Sequence, residues 1–131
     1  MIHTKKIESG NAPAAIGPYS QAIRAGNTVY LSGQLGIDPK TGKIVEGGIE
    51  AQSRQSLENV KAVLFAAEMS LASVVSTQVY LTDMSDFAKM NEIYSSYFAE
   101  PFPARVCVAV KQLPKDGMVE IAAVAVKDSH L

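Results

Sequence analysis

Residues 101–121 read PFPARVCVAVKQLPKDGMVEI, and they set one arginine and one glutamate among side chains that otherwise disfavour charge. Side chains alternate along a strand, so Val106, Val108 and Val110 share one face while Arg105, Cys107 and Ala109 share the other. The valine face reads as core. The opposite face, with small side chains and a guanidinium, suits a pocket wall as well as it suits solvent. After Leu113-Pro114-Lys115-Asp116-Gly117 a second strand runs from Met118 to Val126, and its only charge is Glu120. A run this apolar expects cover on both faces.

An unpaired buried charge costs several kcal/mol, so Arg105 and Glu120 need partners in the fold or a ligand between them. In one reading they form a structural salt bridge. In the other, Arg105 holds a substrate carboxylate by its planar two-donor fork and Glu120 handles a proton or a water. If Cys107 lies opposite Glu120 across a hairpin, Arg105 and Glu120 are diagonal neighbours on one face. A one-residue slip puts them on opposite faces.

The 131 residues are the length of one domain, residues 1–131, large enough for a core and small enough that an interface adds usefully to it. No apolar run is long enough to span a bilayer, and MIHTKKIESG lacks the apolar centre of a signal peptide, so a cytoplasmic protein is expected. The single cysteine leaves no internal disulfide and no CxxC motif. His3 and His130 stand at opposite ends, which speaks against a zinc site or a histidine-based triad. Gly47-Gly48 lacks the spacing of a phosphate-binding loop. With a net charge of −1 and scattered Lys and Arg, nucleic acid is not an expected partner.

Along the chain, His3 to Ile7 forms a first strand, followed by an apolar Gly/Pro loop ending in Gly17-Pro18-Tyr19. Such a loop is expected to pack against something, and Tyr19 is either a core ring or a pocket donor. Ser20–Arg24 and Thr28–Gly33 alternate about Gly26-Asn27, the pattern of a hairpin with a primed turn. Gly33, at the end of that strand, either relieves backbone strain or lets a ligand reach an exposed carbonyl. Asp38-Pro39-Lys40-Thr41-Gly42 is a tight turn. Leu57, Val60, Leu64 and Ala67 recur at helical spacing between about Glu50 and Ala67, with Glu50, Arg54 and Glu58 paired on the other side. Ser76 to Leu81 is a fourth strand. Ser85 is placed to cap a second helix from Asp86 to about Phe98, with Asn91 on the rim of its apolar stripe. The order gives an α+β plan, two helices on one face of a mostly antiparallel or mixed sheet. The leftover sheet face predicts association with other copies of the chain.

Four blocks are similar to the Rid family, the reactive intermediate deaminases of RidA/YjgF type. They are Asn11-Ala12-Pro13-Ala14-Ala15-Ile16-Gly17-Pro18-Tyr19; Ser32-Gly33-Gln34 with Asp38-Pro39-Lys40-Thr41-Gly42; Gln55-Ser56-Leu57-Glu58-Asn59-Val60; and Pro103-Ala104-Arg105 leading to Leu113-Pro114 and Val119-Glu120-Ile121. The resemblance implies a chorismate-mutase-like fold, a homotrimer with sites between subunits, and hydrolysis of 2-imino acids such as 2-iminobutanoate and 2-iminopropanoate without metal or organic cofactor. By similarity Arg105 binds the carboxylate, Glu120 positions or activates water, Tyr19 bonds near the reacting centre and the Gly33 carbonyl accepts from the imine nitrogen. Cys107 contributes its backbone N–H, and Asn91 lines the cleft. With no histidine to activate it, the Cys107 thiol is not expected to be a nucleophile. Three positions depart from the family pattern: Glu68 where glycine is usual, Ser73 where aspartate is common, and Ala122 where many members carry a second glutamate. The same arginine cleft also suits a non-catalytic module that binds small carboxylates. Cleavage of RNA, attributed to some relatives, sits poorly with the acidic balance.

Overall fold

The structure, a computed structural model, describes residues 3–127; His130 lies outside the described residues. Strands β1 (Thr4–Ile7), β2 (Ala22–Ala25), β3 (Thr28–Leu35), β4 (Val74–Leu81), β5 (Ala104–Ala109) and β6 (Val119–Val126) join in one sheet of order β1-β2-β3-β6-β4-β5. Helices α1 (Gly48–Ala66) and α2 (Phe87–Tyr97) complete the plan. Neighbouring strands are antiparallel except β4 and β5. A parallel pair cannot be closed by a tight turn, and α2 supplies the crossover. At the β2–β3 turn Gly26 takes φ 62°, as a primed turn with glycine in its first central position requires.

Strand β6 enters last but sits in the middle, between β3 and β4. Val119, Ile121, Ala123 and Ala125 point to the helices and are buried. The expected stripe of Leu57, Val60 and Leu64 from α1, with Ala67 just past its end, is buried with them. Each large apolar side chain so enclosed contributes about 1.5–3 kcal/mol.

Several expectations are corrected. β5 and β6 are not hairpin partners, because β4 lies between them: Tyr80 pairs with Val108 on one side and with Glu120 on the other, while Thr77 pairs with Arg105. Glu120 therefore shares a face with Val108, and Arg105 lies on the opposite face. The valine face of β5 is not core within the chain, since Val106 is 56% and Val108 40% exposed. Cys107, in register with buried Val79, turns toward the helices instead. The loop before Tyr19 packs against its own chain only at its start: Ala12 is buried in the core, whereas Ile16 is 81% exposed. Ser85 caps no helix. Asp83 accepts from the Ser85 N–H at 2.9 Å and opens a short 3-10 turn ahead of α2. On α1, Glu58 pairs with Lys61 rather than Arg54, and accepts from the Tyr97 hydroxyl.

Candidate functional site

The first half of the site grows from an irregularity in β3. Leu31 pairs with Ala123 and Gln34 with Ile121, three steps on β3 against two on β6, so one extra residue is accommodated at Ser32-Gly33. Such bulges re-aim side chains beside functional clefts. The Glu120 side chain lies against Gly33: a Cβ there would meet Glu120 Cδ at 2.8 Å and Cγ at 2.9 Å. Glycine is thus required for the glutamate to occupy this position. The two residues, with Tyr19, Ile16, Ile37 and Pro114, line a cleft of about 660 Å³. Burial pushes the Glu120 carboxyl above the usual glutamate range.

Tyr19 is half-exposed at the end of its loop, which Gln21 anchors: its carboxamide accepts from the Ser9 N–H at 2.6 Å and donates to the Pro13 carbonyl at 2.7 Å. A second polar lining residue, Lys115, went unassigned in the sequence. Its Nζ donates to the Gly42 carbonyl at 3.1 Å, and both Lys115 and Asp116 sit in the left-handed region, at φ 56° and 54°. The available signal was the Lys-Asp-Gly turn itself, which places two consecutive non-glycine residues in a costly conformation.

The second half lies on the other side of the sheet. Arg105 is exposed rather than enclosed, and its Nη1 donates to Asn91 Oδ1 at 2.7 Å. The guanidinium carbon stands 4.7 Å from the centre of the Tyr94 ring and 5.5 Å from that of Phe87. Such stacking is worth about 0.5–1 kcal/mol at an exposed site, more when water is excluded. Tyr94 is itself fixed, sharing a 2.8 Å hydrogen bond with Thr77 and packing on Phe98. Among the described residues Arg105 forms no ion pair. It is oriented but not neutralised. Cys107 is half-buried nearby, and burial pushes its thiol up, against a smaller opposing pull from Arg105. Phe87 and Tyr94 recur at helical spacing along α2, a pattern that also fits a core stripe, and only the placement of β5 over that helix reveals them as a platform.

Tyr19, Gly33 and Glu120 therefore come together, as do Arg105, Asn91 and Cys107, but the two sets face away from each other in one chain. The described residues form a six-stranded mixed sheet with two helices on one face, carrying a carboxylate cleft before the sheet and a cushioned arginine behind it. Residues 9–127 match the protein family described as Endoribonuclease L-PSP, and the chain belongs to the Rid (RidA/YjgF) family. It is 60% identical over 122 residues to a RutC family protein of Pyrococcus horikoshii, covering 93% of this chain and 97% of that one. It is 50% identical over 127 residues to the 2-iminobutanoate/2-iminopropanoate deaminase of Salmonella typhimurium, covering 95% and 98%. Among solved structures it is similar to E. coli TdcF with bound serine, with a TM-score of 0.90, 45% identity and coverage of 95% and 99%.

Proposed function

We propose that the chain hydrolyses 2-imino acids of the 2-iminobutanoate and 2-iminopropanoate class to 2-oxo acids and ammonia, in clefts formed between copies in a homotrimer. The observation that carries this reading is the guanidinium of Arg105, held by Asn91 and Tyr94 with no carboxylate among the described residues to satisfy it. Deaminase relatives at about half identity support it. Because Arg105 and Glu120 occupy opposite faces of one sheet, a site that uses both draws them from two copies.

In that cleft Arg105 of one copy grips the substrate carboxylate through two parallel N–H bonds. The Gly33 carbonyl of the other accepts from the protonated imine nitrogen, the Cys107 backbone N–H and Asn91 complete the pocket, and Tyr19 bonds near the reacting carbon. A water held by Glu120 adds its oxygen to C2 as its proton passes to the carboxylate. Glu120 then hands that proton to the nitrogen and takes the proton of the new hydroxyl as the C–N bond breaks, so C2 becomes a carbonyl, and the departing ammonia carries this last proton away as ammonium. Water is the only co-reactant, so neither metal nor organic cofactor enters. Ala122, beside Glu120 on the same face, leaves that glutamate as the strand's single carboxylate. Glu120 must be ionised to take the proton, and burial raises it. Activity should therefore rise with pH through a limb above the ordinary glutamate range.

The test is coupled turnover of iminobutanoate generated in the assay, with binding of a small 2-oxo acid measured in parallel. Arg105→Ala should lose both turnover and binding. Glu120→Gln should lose about 10²-fold or more in kcat while still binding. A wild type that binds the acid yet turns over no imine identifies the non-catalytic carboxylate module instead, a reading favoured by the serine bound in TdcF.

A further inference from the structure

Helix α1 buries polar side chains within its apolar face, including Gln52, Ser53, Ser56 and Asn59. Three of them share one side of the helix and reach out of it. The Ser56 hydroxyl donates to the Gln34 carbonyl at 2.6 Å. The Asn59 amide donates to the carbonyls of Leu35 and Ile37 at 3.1 and 2.9 Å, and its own oxygen accepts from Gln55 Nε2 at 2.9 Å. Gln52 Oε1 accepts from the Met118 N–H at 2.8 Å.

The targets of these bonds are not scattered. Gln34, Leu35 and Ile37 follow directly on the Gly33 bulge, where β3 has run beyond its last pairing with β2, at Leu31. Met118 stands two residues before Glu120. The helix approaches so closely that a Cβ on Gly36 would lie 2.7 Å from the Gln52 backbone. If the helix only needed docking, apolar contacts would serve; buried polar groups are kept where specific atoms must be matched.

We infer that Gln52, Ser56 and Asn59 form a positioning ladder for the Glu120 cleft, clamping the backbone segments that carry Gly33 and Glu120 so that the carboxylate stays against the glycine with water held back. They are positioning residues, since none touches the substrate. This rests on the proposed imine hydrolysis for its kinetic consequence, but the geometric claim can be read without substrate. The ionisable groups facing Glu120 are Tyr19 from the loop, Tyr80 from β4 and Lys115 from the turn, and none belongs to the ladder.

The experiment follows the Glu120 side-chain carboxyl by ¹³C NMR titration in the full chain, in wild type, Asn59→Ala and Ser56→Ala. Val60→Ala, a purely apolar truncation on the same helix, serves as control. Both polar variants should move the Glu120 titration down toward the ordinary glutamate value by about 0.5 unit or more, because loosened walls admit water. In turnover assays they should lower kcat about tenfold with KM near wild type. Val60→Ala should destabilise the fold yet leave the titration in place. An unmoved Glu120 in a folded Ser56→Ala protein, or an equal movement in Val60→Ala, overturns the ladder. If Asn59→Ala does not fold, Ser56→Ala, which removes a single bond, decides alone. A wild type without imine turnover defeats the hydrolase reading and leaves the titration to judge the ladder separately.

Discussion

Glu120 holds a carboxylate beside a glycine, where burial makes ionisation costly. Its pKa in the folded chain exceeds the unfolded value, so folding binds the proton more tightly. The associated stability is present below the unfolded pKa and is lost as pH rises through the folded one. Glu120→Gln should therefore be more stable than wild type to urea at about pH 7, with the difference shrinking toward about pH 3.5. A variant no more stable at neutral pH would show that the ionised side chain is not penalised there. Arg105 and Glu120 were legible in the sequence because a charge in an apolar strand has no bland companions to hide among. Tyr94 and Phe87 were not, for an aromatic at helical spacing looks the same whether it fills a core or cushions a guanidinium.

Helix α1 ends on a residue poorly suited to its place. Glu68 takes φ 60°, and the turn closes with bonds from the Met69 N–H to the Leu64 carbonyl and from the Glu68 N–H to the Phe65 carbonyl, both 2.9 Å. This is a Schellman ending, in which glycine usually holds the left-handed position. Arg24 of β2 steadies the same end by donating to the Ala67 carbonyl. Glu68→Gly should raise stability by roughly 0.5–1 kcal/mol, read as a higher midpoint in thermal unfolding. The ion pair with Lys127 that it sacrifices is 3.7 Å long and exposed, worth little. Strand and helix identities were readable from alternation and from helical spacing. Pairing order was not. Strands close in sequence usually neighbour each other, which favours a β5–β6 hairpin. The arrival of β4 between them depends on α2 carrying the chain across, which neither strand's own pattern encodes.

Across the molecule, the sheet face away from the helices keeps Tyr30, Val106 and Val108 open to solvent. If copies associate through it, Val106→Asp should reduce the sedimentation coefficient toward that of a single chain and abolish turnover while leaving Arg105 and Glu120 untouched. Retention of the wild-type coefficient would place the contact elsewhere. The sequence reading anticipated an uncovered face from the apolar last strand, but it placed the β5 valines inside, because hydrophobicity alone does not distinguish a face covered by helices from one left to a partner. The placement of Arg105 and Glu120 on opposite faces of the sheet has one more consequence under the proposed assembly. An allele broken at the arginine and an allele broken at the glutamate would each be inert alone, yet a cell expressing both would build mixed rings in which some junctions inherit two sound halves, and part of the lost activity would return.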